Sequence, residues 1–115
     1  MSVRGKVAMS RFLVIEKPAT PTQVASPDSP EGKQMMKMFE SEIEYKVKLL
    51  KEGKIVGGGP FLDVSALCYI LDVPSVEEMG EIFFNSPLNV WTQREVHPLG
   101  TFSDTLEGMK GMRSQ

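Results

Sequence analysis

Glu95 and His97 are the residues of this chain whose types and spacing best suit proton chemistry. They lie two positions apart in an extended segment, Trp91 to Val96, that ends at Pro98. Because strand side chains alternate, both point to the same side, together with Gln93. A carboxylate beside an imidazole is the minimum equipment for moving a proton at neutral pH. We therefore predict Glu95 and His97 as catalytic residues, the alternative being a surface ion pair and a histidine that only ends a strand.

A second group of residues is expected to hold a substrate. Glu16 and Lys17 end an earlier strand that lies beside the last strand in the fold proposed below, although flanking solvated charges are the alternative interpretation. Lys17 or Arg94 would orient an anionic group, while Tyr69 and Trp91 would wall the pocket. The predicted substrate-binding residues are Lys17, Glu16, Tyr69, Trp91, Gln93 and Arg94.

Nothing in the sequence indicates a cofactor or a metal. One histidine and one cysteine provide no clustered ligand spacing. Cys68 stands inside an apolar run, which is typical of a buried small hydrophobe rather than a nucleophile. Gly57–Gly59, followed by Pro60, is not a phosphate loop, since no Gly-Lys-Ser/Thr follows. These glycines are typical of a bulge or a close backbone approach, and they would also leave room for a ligand.

Size and charge limit the class of protein and its partners. At 115 residues the chain is one domain, and its net charge of −2, without any cluster of Lys and Arg, argues against nucleic acid as a partner. No apolar stretch approaches the ~20 residues of a membrane span. A single cysteine fits a reducing cytoplasm. We expect a cytoplasmic protein that binds a small molecule and neither nucleic acid nor membrane.

A long first helix is marked by its ends and by its apolar periodicity. Ser29–Glu31 supplies a hydroxyl cap, a proline at the first helical position and an acid in the first turn, and Gly53 closes the helix. The pair Glu42/Lys46 is expected on its outer face. An apolar stripe at three- and four-residue steps is expected to face inward. Its members are Met36, Phe39, Ile43, Val47 and Leu50.

A second helix and four strands complete the pattern. Ser75–Glu78 is a capping box, and this helix is over before Pro87. The element order β-α-β-β-α-β is that of ferredoxin-like folds, an α+β class with an antiparallel four-stranded sheet and both helices on one side. The predicted strands are Arg11–Lys17, Lys54–Gly59, Ser65–Val73 and Trp91–Val96.

The strands are apolar on both faces. Phe12–Ile15 and Ala66–Leu71 are unbroken apolar runs, which are typical of a sheet that is buried on both sides. Two helices cover only one face, so the other face needs a second copy of the chain. We therefore predict a homodimer or higher homo-oligomer built as a dimeric α/β barrel, with a cavity between two sheets.

The chain divides into three parts. Residues 1–10 are predicted as an N-terminal extension, 11–99 as the ferredoxin-like domain, and 100–115 as a C-terminal tail that is available for oligomer contacts. Within the tail, Phe102, Leu106, Met109 and Met112 are spaced for one helical turn or two. The proline-rich segment Pro18–Pro30 is a loop that is either a functional lid or disordered, and the sequence leaves both open.

Two segments resemble known families. Leu49–Phe61, in which a helix ends at a glycine and leads into Gly-Gly-Pro, resembles YCII-related proteins. Ser75–Leu99, with the part SPLNVWTQREVHPL, is similar to muconolactone isomerases, and Glu95 matches a glutamate of their last strand. Both families belong to the dimeric α/β-barrel group. YCII-related enzymes carry an early histidine and an Asp-Pro pair that this chain lacks.

The resemblance to muconolactone isomerases implies an activity. Members of that family shift a proton across a small lactone without any cofactor. The chain is accordingly expected to be an isomerase that acts by proton transfer on a small carbonyl or lactone compound. The alternative is a non-enzymatic module that binds a small molecule or assembles with other proteins on the same scaffold, since a shared fold does not imply a shared activity.

Overall fold

The computed structural model describes residues 10–19, 26 and 28–113. Most of the predicted N-terminal extension, and residues 20–25 and 27 of the proline-rich loop, lie outside the described residues. The choice between a lid and a disordered loop therefore stays open, and the division into three parts stays a prediction.

Four strands and three helices follow one another in the described residues, with a short 3-10 turn, Asn89–Trp91, before the last strand. The elements are β1 (Ser10–Pro18), α1 (Pro30–Lys51), β2 (Ile55–Pro60), β3 (Leu67–Val73), α2 (Val76–Phe84), β4 (Thr92–Leu99) and α3 (Phe102–Arg113). The strands form one antiparallel sheet in the order β2-β3-β1-β4. The predicted α+β ferredoxin-like fold is confirmed.

Helix ends follow the capping chemistry in the sequence. The Ser29 hydroxyl accepts a hydrogen bond from the Gly32 amide at 3.0 Å, and the Ser75 hydroxyl accepts one from the Glu78 amide at 3.1 Å. After α1, Gly53 takes a left-handed conformation with φ 78°, which glycine adopts without steric cost. Among the residues that the structure describes, no helix is long and apolar enough to cross a bilayer.

The core lies between the sheet and the first two helices. Alternate residues of β1 and β3 point to this side, which we call the helix face, and the opposite side is the outer face. Apolar side chains from both layers are buried there and exclude water, which is the main source of stability. They are Phe12, Val14, Leu49, Ile55, Tyr69, Leu71, Val73 and Ile82.

Gly58 allows β2 to approach β3 closely. Its φ is 118°, and a Cβ at this position would lie 2.3 Å from the Cys68 carbonyl oxygen. A register irregularity between Ile55 and Gly57 precedes it. Gly58 therefore serves the close backbone approach that one sequence interpretation of the run expected, because no other residue fits this conformation and space. A Cβ on Gly57 or Gly59 would meet no described atom within 4 Å.

The rotation of α1 about its axis differs from the sequence prediction. The apolar stripe expected to face inward is 42–54% exposed, and we name it the α1 stripe: Met36, Phe39, Ile43, Val47 and Leu50. Glu42, predicted on the outer face, is buried, and its partner Lys46 is largely buried. The prediction is wrong because the helix face of the sheet carries charges of its own, and these attract Glu42 and Lys46 rather than the stripe.

The C-terminal tail forms a longer helix than predicted. α3 spans 12 residues, and every one of them is exposed. Four large apolar side chains on α3, 51–97% exposed, form what we call the α3 stripe. The α3 stripe is Phe102, Leu106, Met109 and Met112.

Candidate functional site

The outer face of the sheet carries Glu95 and His97 as a hydrogen-bonded pair, which we call the outer pair. Glu95 Oε2 lies 2.5 Å from His97 Nε2. A carboxylate only accepts hydrogen bonds, so Nε2 carries the hydrogen and Nδ1 of a neutral ring keeps its lone pair. The hydrogen bond from His97, and the positive charge that the ring carries when it is protonated, hold the pKa of Glu95 below its ordinary value, so Glu95 stays ionised and orients the ring.

An apolar floor lies beside the outer pair. Leu13 of β1 is opposite His97 on one side and Ile70 on the other, and Ile15 is opposite Glu95 and Cys68. These apolar side chains are only partly buried in a single chain. The outer face therefore combines an oriented imidazole with an apolar surface that a small molecule or a second copy would cover.

Lys17 and Gln93 lie farther along the same face. They are opposite one another at the end of β1 and the start of β4, and both are exposed. The charge of Lys17 contributes to the lowered pKa of Glu95, though less than His97 does. An anionic group bound near the outer pair would find this cation within the range of electrostatic attraction.

The helix face carries a second charged group, which we call the inner cluster: Glu16, Glu42, Lys46, Tyr69 and Arg94. Glu16 is its centre. The Tyr69 hydroxyl donates to Glu16 Oε2 at 2.5 Å, Arg94 Nε donates to the same oxygen at 2.7 Å, and Lys46 Nζ lies 3.1 Å from Oε1. The four charged side chains expose only 5–12% of their area, and their charges sum to zero.

Glu42 ties α1 to the segment that follows α2. It pairs with Lys46 one turn along the helix, accepts from the Ser86 hydroxyl, and accepts from the Leu88 amide at 3.0 Å. Burial alone would raise the pKa of Glu42, but the donors outweigh it and hold the pKa below its ordinary value. Glu42 is therefore a saturated carboxylate, meaning that donors occupy both of its oxygens, and it anchors the segment that follows α2.

Aromatic rings line the cations of the inner cluster. Lys46 Nζ lies 5.1 Å from the centre of the Tyr69 ring, and the Arg94 guanidinium lies 4.5 Å from that of Phe83. Burial and the neighbouring Glu16 raise the pKa of Tyr69, so its hydroxyl keeps its proton. Arg94 Nη1 donates to Asn89 Oδ1 at 2.6 Å, while Nη2 is buried without a partner among the described residues.

The structure does not bring the eight predicted site residues into one site. Glu95, His97, Gln93 and Lys17 share the outer face, whereas three of the predicted substrate-binding residues, Glu16, Tyr69 and Arg94, point to the helix face. The strand alternation expected for Gln93, Arg94 and Glu95 is confirmed, and this alternation separates the groups. Trp91 lies in the 3-10 turn before β4 and is 61% exposed. The roles of all eight stay predictions.

Sequence reasoning missed three residues of this site. The sequence predicts Glu42 and Lys46 as an i,i+4 pair on the outer face of α1, and no local sequence signal distinguishes Ser86, which donates to Glu42. Their spacing is identical for a buried and an exposed pair, so no local signal identifies them. Among the described residues, no group of three or more His, Cys, Asp and Glu side chains is arranged to hold a metal ion.

A comparison with models of protein families identifies the family to which this chain belongs. A family model described as muconolactone delta-isomerase matches residues 19–105, about three quarters of the chain. The chain belongs to the muconolactone delta-isomerase family. The resemblance of Ser75–Leu99 to this family is thereby confirmed, while the resemblance to YCII-related proteins stays a prediction. A search of curated proteins found no match.

Proposed function

We propose that this chain is a cofactor-free isomerase that moves a proton on a small lactone or other carbonyl compound. The observation that carries the proposal is the hydrogen bond between Glu95 and His97 on a partly apolar surface. Membership of a family named for muconolactone isomerisation supports the same class of reaction. Muconolactone is therefore the first compound to test.

In the proposed reaction, His97 is the base and Glu95 orients it. Nδ1 takes a proton from a carbon next to the conjugated carbonyl system, and the electron pair of the broken C–H bond delocalises onto the carbonyl oxygen. The imidazolium that forms is stabilised by the Glu95 carboxylate and returns the proton to a different carbon of the same molecule. Lys17 would hold an anionic substituent, with Gln93 beside it. General acid–base help of this kind supplies roughly 10²–10⁴-fold in rate.

The proposal includes an oligomer. In a single chain, 58% of the Glu95 side chain and 52% of the His97 side chain are exposed to solvent. Proton abstraction from carbon needs a site from which more water is excluded. The partly exposed residues Leu13, Ile15, Cys68 and Ile70 on the outer face support its burial against the outer face of a second copy. A cytoplasmic homo-oligomer is thus part of the proposed function.

The activity is tested by proton exchange in heavy water. The purified protein is incubated with muconolactone in D₂O, and NMR follows isomerisation and deuterium at the carbon that accepts the proton. The wild-type protein should catalyse both, and Glu95→Gln should lower the rate by at least about tenfold while the oligomer and the unfolding midpoint stay unchanged. Unchanged turnover in Glu95→Gln would remove Glu95 from the mechanism.

A non-enzymatic binding module is the second candidate. The exposure of the outer pair in a single chain favours it, since a solvated Glu–His pair is also an ordinary surface feature. This candidate predicts that muconolactone and simple lactones shift the resonances of His97 and Glu95 on binding, without deuterium entering the ligand. Catalytic exchange in the wild-type protein would eliminate it.

A further inference from the structure

Two apolar helix faces of similar length are exposed on this chain. The α1 stripe is on the surface because the inner cluster occupies the side of α1 that meets the sheet. The α3 stripe is on the surface because every residue of α3 is exposed. Exposed contiguous apolar faces of this kind mark interaction sites.

The α1 stripe faces away from α2. The Tyr45 hydroxyl donates to the Ile82 carbonyl of α2 at 2.8 Å, and Glu42 binds Ser86 just after α2, so this side of α1 is occupied. At about 100° per residue, Ile43 in the middle of the stripe lies roughly 100–160° around the helix from Glu42 and Tyr45. The stripe therefore lies toward β2, the edge strand of the sheet whose backbone comes closest to α1.

The chain cannot place its own α3 on this stripe. α3 follows β4, which forms the opposite edge of the sheet from β2. Three strand spacings separate the two edges, about 14 Å, before any height above the sheet is added. Only Gly100 and Thr101 link β4 to α3, and two residues span at most about 7 Å. A helix that covers the stripe must come from another molecule.

An antiparallel alignment matches the two stripes residue by residue. With the start of α3 over the end of α1, Leu106 lies opposite Val47, and Met109 lies opposite Ile43. Phe102 then meets the last stripe residue of α1, and Met112 meets Phe39. All four members of the α3 stripe find an apolar partner in this alignment, whereas a displaced alignment leaves some of them over charged positions.

The charges beside the stripes select the same alignment. By helical position, Glu40 and Glu44 border the solvent side of the α1 stripe, and Lys110 and Arg113 border one side of the α3 stripe. In the antiparallel alignment, Arg113 meets Glu40, and Lys110 meets Glu44. A parallel alignment would turn the same two cations toward the sheet and toward Lys46, a like charge.

We propose that α3 of one copy packs antiparallel on the α1 stripe of a second copy, and that the second copy returns the contact. One such contact removes roughly 700 Å² of apolar surface from water if each fully exposed large side chain contributes about 150 Å². This is below the 1,200–2,000 Å² of a standard stable interface, and two reciprocal contacts reach that range. The inference is independent of the proposed activity.

Cysteine cross-linking tests which helices meet. In a Cys68→Ser background, one chain carries Ile43→Cys and another carries Met109→Cys, and the two are co-expressed and oxidised. The expected product is a disulfide-linked pair with one chain of each kind, identified by peptide mapping. A linked pair in Ile43→Cys protein alone would mean that α1 meets α1. That result, or no cross-link in the mixture, would overturn the proposal.

A charge exchange tests the alignment with the same readout. Arg113→Glu in the Met109→Cys chain should slow disulfide formation about two- to fivefold, the scale of one exposed ion pair. Glu40→Arg in the Ile43→Cys chain should do the same, and the two changes together should restore the rate. Asp104→Lys, on the opposite side of α3 and six residues from Lys110, is the matched control and should leave the rate unchanged. Equal slowing by the control, or no restoration, would contradict the antiparallel alignment.

Discussion

The inner cluster and the outer pair use the same kinds of residue in opposite ways. On the helix face, Glu16 and Glu42 are each held by several donors in a layer from which water is largely excluded. On the outer face, Glu95 has one hydrogen-bond donor among the described residues, His97, and Nδ1 of that histidine has no partner in the same part of the chain. A saturated carboxylate stabilises a fold, and an oriented base with an open acceptor can react.

The burial of the inner cluster also determines which side of α1 is exposed on the surface. Taking charges out of water is costly and is offset only when each has its partners. The sheet contributes Glu16 to its helix face, and α1 turns Lys46 toward Glu16, with Glu42 beside Lys46. The apolar α1 stripe is left outside as a consequence. Assembly and internal electrostatics are therefore linked in this molecule.

The largest effect is expected from removing the centre of the inner cluster. Glu16→Ala leaves Lys46 and Arg94 without their shared carboxylate in a nearly dry layer, and it should destabilise the fold by about 3–5 kcal/mol. The thermal midpoint should fall by more than about 10 °C, measured by circular dichroism. The matched outer-face variant Glu95→Ala should leave the midpoint unchanged. Equal thermal midpoints for both variants would contradict the claim that the inner cluster stabilises the fold more than the outer pair does.

Acid should weaken the inner cluster through Glu42. Because the folded-state pKa of Glu42 is lowered, its stabilisation is fully present above the ordinary value of 4.5 and is lost as the pH falls through the lowered value. The midpoint of the wild-type protein should therefore drop between pH 6 and pH 3. In Glu42→Gln the drop should be smaller. The idea fails if Glu42→Gln shows the same pH dependence as the wild-type protein.

A smaller effect is expected from the tyrosine of the inner cluster. Tyr69→Phe removes a hydrogen bond to an ionised carboxylate and should cost about 1.5–3 kcal/mol in urea unfolding. Tyr45→Phe removes a bond to the neutral Ile82 carbonyl, so a cost of about 0.5–1.5 kcal/mol is expected. If Tyr45→Phe loses more unfolding free energy than Tyr69→Phe, the hydrogen bond from Tyr69 to the Glu16 carboxylate is not the stronger of the two, and this prediction is wrong.

The smallest stability effect should come from the outer face. Lys17→Gln removes an exposed cation near Glu95, and the unfolding midpoint should not move. If Lys17 holds an anionic substituent of the substrate, KM should rise several-fold while kcat stays within about twofold. A fall in kcat with constant KM would instead place Lys17 at the reacting atoms.

Much of the fold could be predicted because its signals are local. Ser29 and Ser75 start helices through hydrogen bonds within one turn, and Gly53 ends one through its own backbone freedom. The position of β1 beside β4 was expected from the β-α-β-β-α-β pattern of the elements, and the structure confirms it. These features need no information about distant residues.

The rotation of α1 could not be predicted because its cause is distant in sequence. Glu42 is turned inward together with Lys46, which pairs with Glu16, and by Ser86, which lies 44 residues farther along the chain. The apolar stripe looked like a core face because periodicity does not say whether the cover is intramolecular. The pairing of Glu95 with His97 could be predicted because both residues lie in one strand, where side chains alternate. The inner cluster could not be predicted in this way because its members come from different elements that meet only in the folded chain.

The most direct test compares turnover in one variant from each group. Muconolactone isomerisation is measured for His97→Gln and Glu42→Gln at a temperature at which circular dichroism shows both to be folded. We expect His97→Gln to lower kcat/KM by roughly 10²–10⁴-fold and Glu42→Gln to stay within several-fold of the wild-type protein. Loss of turnover in Glu42→Gln, with His97→Gln active, would contradict the assignment and move the chemistry to the helix face.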